Sequence, residues 1–137
     1  MTAERDFPYA FAAVTQARHY VLDMLNGIGD MVAGDAAVMV SELATNSVRH
    51  AATGFTVSVD RTTEQITVAV ADPGPGEPRM RAPKPTDGSG RGLRIVNALA
   101  DEWGVHTNSG PGKSVWFTIA NIDERFSKGG NGRGATR

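Results

Sequence analysis

Residues 40–51 read VSELATNSVRHA, and the spacing within this stretch organises the rest of the chain. Glu42, Asn46 and His50 stand four apart, so on a helix they stack along one face, with Arg49 at its edge. Val40, Leu43, Ser47 and Val48 cover the remainder and can pack on a sheet. A carboxylate, a carboxamide and a basic group in one row could build a nucleotide site. The carboxylate can take a proton, the amide oxygen suits a hard magnesium ion, and the basic group can meet a phosphate. Taken alone, the row reads more simply as a polar, solvated helix face. Asn is a poor helix former, however, and an exposed Asn46 in mid-helix would be unfavourable for no return.

Working outward, the helix carrying this row spans about residues 35–51, starting at Asp35 as its cap and closing before Gly54. Upstream, Phe11, Val14, Ala17, Val21, Leu22 and Leu25 recur every three or four residues, which predicts an amphipathic helix over 9–26, ended by Gly27 and Gly29. Residues 1–9 form a lead-in, read as an edge strand ending near Pro8. Downstream, Phe55, Val57 and Val59 alternate, as do Ile66, Val68 and Val70 after a turn at 62–65. That is an antiparallel hairpin with one buried face. Residues 73–90, PGPGEPRMRAPKPTDGSG, hold most of the prolines and almost no apolar side chains; a loop of this length inside a domain is usually functional or mobile. A third helix follows over about 92–101 with Leu93, Val96, Leu99 and Ala100, then strands near 103–107 and 114–121. The expected fold class is α/β, an α+β two-layer sandwich: a mixed, mostly antiparallel sheet with three helices on one face and a long loop. One domain covers 1–126, and the Gly-rich basic tail over 127–137 is expected to be disordered.

Composition narrows the function classes. The 137 residues carry 14 Lys and Arg against 15 Asp and Glu, a formal net charge of −1, so no general attraction to nucleic acid or anionic membrane exists. There is no cysteine, which excludes disulfides and thiolate metal sites. His19, His50 and His106 show no zinc-ligand spacing. His19 and His106 read as surface or sheet residues, and Trp103 and Trp116 as core or rim aromatics. The start is no signal peptide and no apolar run reaches membrane-span length, so the expectation is a cytoplasmic protein without nucleic-acid or membrane partners.

Two glycine-bearing segments complete the pattern. The second hairpin strand ends in VADPGPG (70–76), with Asp72 where the strand stops and Gly74 and Gly76 after it. A buried carboxylate there can accept a hydrogen bond from an adenine amine, and glycines let backbone approach a base; an ordinary Asp-Pro-Gly turn is the plainer alternative. DGSGRGLRIV (87–96) places Gly88, Gly90 and Gly92 ahead of a helix, where free amides and the dipole favour phosphate; a flexible hinge would look the same. Arg79, Arg81 and Lys84 in the loop read equally as solvated charges or as phosphate-closing groups. Gly112-Lys113-Ser114 imitates the end of a P-loop, but its first glycine falls on Thr107 and VWFTIA alternates like a strand, so that geometry is rejected.

In order, an E-x-x-x-N helix, a strand ending in D-x-G-x-G, a G-x-G-L before a helix and G-K-S-V-W-F on the last strand resemble the GHKL ATPase superfamily. This is the Bergerat fold of DNA gyrase, histidine kinases and a heat-shock chaperone. SELATNSVRHA, GRGLRIVNALADEWGV and GKSVWF are similar in particular to the small bacterial anti-sigma-factor serine/threonine kinases and their actinobacterial ATP-binding relatives. The similarity covers roughly 7–121. It implies ATP and Mg2+ as ligands, Glu42 as general base and Asn46 as magnesium ligand, with Arg49 and His50 facing phosphate. Asp72 would read the adenine amine, with Gly74 and Gly76 beside the base. Gly90, Arg91, Gly92 and Leu93 would lie at the phosphate end of a lid over 73–89. Ser114 stands where a threonine is usual, and its hydroxyl could join an adenine-site water network. The implied partners are a sigma factor and an anti-anti-sigma (STAS-type) protein carrying the acceptor serine, with a homodimer left open. Two other readings stand beside this one: an ATP-gated interaction module that never transfers phosphate, and the catalytic piece of a histidine kinase.

Overall fold

The computed structural model describes residues 2–73, 88–107 and 112–121, and for His50 and residues 88–92 the backbone alone. The alternating segments become strands: β1 (Thr2–Phe7), β2 (Phe55–Arg61), β3 (Gln65–Asp72), β4 (Glu102–Thr107) and β5 (Lys113–Ala120). They form one sheet in the order β1-β2-β3-β5-β4. Every pairing is antiparallel, so the sheet is not mixed as expected. Side chains alternate between its faces. Val57 and Val59 of β2, Ile66, Val68 and Val70 of β3, and Val115, Phe117 and Ile119 of β5 all turn to the same side and are buried there. Each such side chain contributes about 1.5–3 kcal/mol on burial.

Helices α1 (Ala12–Met24), α2 (Asp30–Asn46) and α3 (Gly88–Leu99) make the second layer. The middle helix, α2, packs on both α1 and α3 and directly over β3 and β5. Its burial is accordingly broad: Val32, Ala33, Ala36, Ala37, Met39, Val40, Leu43 and Ala44 are all out of solvent, as expected of a helix enclosed on several sides. On α1 the buried line is Ala13, Ala17 and Val21, continued by Leu25. Phe11 and Leu22, expected in the apolar stripe, are exposed, and the buried line runs through Ala13 and Ala17 instead.

Two helix starts differ from expectation. α2 begins at Asp30, with Gly29 preceding it, and Asp35 lies inside the helix instead of capping it. Gly34 is carried through because Val32, Ala33 and Ala36 around it are buried, and packing outweighs a propensity cost of about 1 kcal/mol. α3 begins at Gly88, so Gly88, Gly90 and Gly92 fall within its first turns and not before them.

Beyond Asn46 the helix loosens into a π-helical turn, Ser47–Ala51, closed by Ala52 in the left-handed region at φ 57° and ψ 41°. The chain then turns sharply into β2. A Cβ on Gly54 would lie 2.5 Å from the backbone oxygen of Phe7, so only glycine allows β1 and β2 to close at that end. Phe7 itself stacks on Phe55 at 5.3 Å and meets the edge of Tyr20 at 5.8 Å. Among the described residues no helix is long and apolar enough to cross a membrane. The expected tail over 127–137 lies outside the described residues, as do Arg79, Arg81 and Lys84.

Candidate functional site

The end of α2 and the end of β3 meet. Ser47, which is buried, donates its Oγ hydrogen bond to Asp72 Oδ2 at 3.2 Å. Asp72 is only 5% exposed although it stands at the last position of its strand. The sheet register explains this: Asp72 pairs with Lys113 on β5 and faces the helix layer beside Phe55 of β2. Lys113 Nζ lies 3.1 Å from the same Oδ2. A carboxylate this enclosed must be compensated by donors or a countercharge, and it has both, one from the helix layer and one from the neighbouring strand.

Glu42 and Asn46, both half-buried, lie on the same helix α2 as the buried Met39, Val40 and Leu43. Glu42 has no hydrogen-bond or ion-pair partner among the described residues, which leaves its carboxylate uncommitted. Asn46 is adjacent in the chain to Ser47, so the polar row of α2 runs directly into the carboxylate at the end of β3. Arg49 is exposed. The π-helical turn changes the pitch after Asn46, so the four-residue stacking inferred for His50 no longer follows from spacing. Such π insertions inside helices occur frequently at functional sites.

The remaining expected residues divide three ways. Gly74 and Gly76 lie outside the described residues. Gly90, Arg91 and Gly92 belong to the start of α3, where the first few amides have no intrahelical acceptor; Gly90 falls among these, whereas Gly92 stands a full turn in. Leu93 is half-buried and packs on the core. Ser114 lies on the strand one residue beyond Lys113. It pairs with Ala71 and His106, on the sheet face opposite to Asp72. The strand neighbour that does reach Asp72 is Lys113, a residue sequence reasoning passed over together with Ser47. The signal was present in the sequence: Lys113 opens the last strand, and pairing that strand with β3 puts it level with Asp72.

His19 and His106 are exposed and Trp103 and Trp116 half-buried, as expected. Trp103 Nε1 donates to Asn97 Oδ1 at 2.9 Å, and the Trp116 indole lies over Gly104. No group of three or more His, Cys, Asp or Glu residues suited to a metal ion occurs among the described residues. Asn46 offers an amide oxygen, a donor type that suits magnesium.

Comparison with known proteins agrees with this fold. No curated protein sequence matches the chain. Among solved structures, the RsbU and RsbW domains of Rv1364c from Mycobacterium tuberculosis superpose with a TM-score of 0.68 at 17% identity, over 90% of this chain and 34% of that one. The histidine kinase domain of the blue-light activated histidine kinase from Erythrobacter litoralis EL346 gives 0.54 at 26% identity, over 83% and 61%. The Acinetobacter baumannii histidine kinase AdeS gives 0.54 at 17%, over 88% and 68%. The chain thus spans about a third of the first of these and under two thirds of the second. The family model described as the histidine kinase-like ATPase domain matches residues 7–119, a span that contains α2, Ser47, Asp72 and Lys113. The chain belongs to the histidine kinase-like ATPase domain family, within the GHKL superfamily of ATPases.

Proposed function

We propose that this domain binds MgATP at the junction of α2 and β3 and acts as a serine/threonine kinase of the anti-sigma-factor type. The observation that carries the reading is the junction itself. A buried carboxylate at a strand end, Asp72, is tied through Ser47 to the helix that presents Asn46 and Glu42. Asp72 accepts the exocyclic amine of adenine, the Asn46 amide oxygen holds magnesium, and Arg49, His50 and the α3 residues Gly90, Arg91 and Gly92 serve the phosphates. Gly74 and Gly76 flank the base. Bound magnesium supplies neutralisation of charge on the phosphate oxygens.

Glu42 is the group placed to take a proton. As the hydroxyl oxygen of an acceptor serine bonds to the γ-phosphorus, its proton passes to the Glu42 carboxylate, and the bond from that phosphorus to the departing ADP oxygen breaks. The partners in this reading are a sigma factor, held by the domain, and a STAS-type anti-anti-sigma protein that carries the serine. The likeness in fold to a structure containing an RsbW domain is in keeping with this branch of the family.

The test has two arms. Calorimetry with MgATP compares the wild type with Asp72→Asn; the wild type binds and the variant loses most of its affinity. Transfer of labelled γ-phosphate to candidate STAS-type partners then compares the wild type with Glu42→Ala, which keeps ATP binding and loses transfer. Unchanged transfer by Glu42→Ala removes that residue as the base. Binding of ATP with no transfer to any partner would instead make the domain an ATP-gated interaction module.

A further inference from the structure

The lysine beside Asp72 has chemistry left to use. Lys113 opens β5 after Gly112, a buried glycine at φ 113°, and its register pairs it with Asp72 on the helix-facing side of the sheet. Its ammonium sits 3.1 Å from Asp72 Oδ2. The carboxylate side chain is 4% exposed and the lysine side chain 21%, so the lysine lies on the more open side of the pair. An ammonium has three protons to donate. One is directed at Asp72, and among the described residues Lys113 has no other partner. Resting on the reading of Asp72 as the residue that receives a nucleobase amine, this arrangement places a donor and an acceptor side by side at the base-binding end.

Adenine presents the complementary pair along its edge: an exocyclic amine that donates, flanked by ring nitrogens, N1 and N7, that accept. We propose that Lys113 is a second base-reading residue, donating to the ring nitrogen beside the amine while Asp72 accepts from the amine itself. Ser47 acts as a positioning residue, holding the shared Oδ2 from the helix side. The pair then selects a base by a two-point pattern, where a carboxylate alone would respond to any amine. The ion pair has a further effect: the ammonium fixes the carboxylate before the base arrives, so less ordering is needed on binding.

The experiment measures binding of ATP, 1-deaza-ATP and 7-deaza-ATP to the full chain, as wild type and as Lys113→Met, by calorimetry and by ligand-dependent shift in melting temperature. The wild type binds one of the two deaza analogues about tenfold to a hundredfold more weakly than ATP, the range for a lost hydrogen bond to a charged donor. In Lys113→Met that penalty disappears, and ATP itself binds as weakly as the analogue does to the wild type. Lys113→Arg, which keeps a charged donor, restores part of the discrimination. Equal binding of ATP and both analogues by the wild type, a readout needing no variant, overturns the proposal and leaves the ATP site standing. Tighter ATP binding by Lys113→Met also overturns it, because the lysine would then be a plug on Asp72. Absence of any nucleotide binding by the wild type overturns the nucleotide reading itself, and this proposal with it.

Discussion

Removing both members of the Asp72–Lys113 pair should cost less than the sum of the two single removals. Lys113→Met takes the countercharge from a carboxylate that is 4% exposed and that still accepts from Ser47 at 3.2 Å. Breaking a fully buried pair costs about 3–5 kcal/mol. Lys113 is 21% exposed, so water reaches its side of the pair and lowers the figure to roughly 2–3 kcal/mol. Asp72→Asn keeps an acceptor oxygen for both donors and strands only the more exposed lysine, a loss of about 1–2 kcal/mol. In the double variant no charge is left uncompensated, and its loss should be close to that of the worse single change. The coupling energy is therefore about 1–2 kcal/mol, well outside the ~0.5 kcal/mol within which independent sites add. Urea unfolding of the four proteins at one pH and moderate salt gives the cycle, provided the slope with denaturant is common to all four. Additivity within that margin would mean the two charges do not sense each other in solution, and the account of why Asp72 tolerates burial would fail.

Three other outcomes follow from particular contacts. Gly54→Ala puts a methyl against the Phe7 carbonyl, backbone against backbone with no side chain to yield, and should destabilise the domain by about 1–3 kcal/mol; an unchanged melting temperature would contradict the close approach. Arg61 Nη1 donates to the carbonyls of Met24 and Asn26 at 3.0 and 2.9 Å, satisfying acceptors that the end of α1 leaves open. Arg61→Ala should cost about 1–2 kcal/mol and speed amide exchange in the last turn of α1, with α3 unaffected. Burial raises the Tyr20 hydroxyl above its ordinary value of 10.0, with Arg5 pulling the other way and Glu4 adding to the rise. The unfolded chain then releases the proton first, so this contribution is complete below pH 10 and is lost as pH climbs through the raised value. Comparing Tyr20→Phe with the wild type by ultraviolet titration and alkaline unfolding reads both the ionisation and its sign.

The hairpin was legible because period-two alternation survives translation into structure: Val57, Val59, Ile66, Val68 and Val70 are all buried. Asp72 was placed at its strand end for the same reason. The start of α2 was not legible, since Gly34 and Asp35 carry local stop and cap signals that burial of Val32, Ala33 and Ala36 overrides. On α1, alanines on the buried line carry less hydrophobic signal than the exposed Phe11 and Leu22, so periodicity pointed to a rotated stripe. Ser47 and Lys113 were missed because their importance is a property of pairing. Neither is unusual in its own segment, and both matter only once α2 and β5 converge on one oxygen. The same register moves Ser114 to the far face, a one-residue difference that a strand converts into opposite sides of a sheet.

The strand order also sets a timetable. β5, the last of the described strands, lies between β3 and β4, so a ribosome that has released everything up to residue 107 has made β3 and β4 without the strand that joins them. Until residues 113–120 emerge, β3 presents an unpaired edge rich in valine, and Asp72 waits beside it without its lysine. Such an edge invites pairing with other chains during synthesis. Insertion of one strand then closes the sheet and delivers the ammonium to the carboxylate in the same event. A ligand held at the Asp72–Lys113 pair would stabilise only the completed sheet.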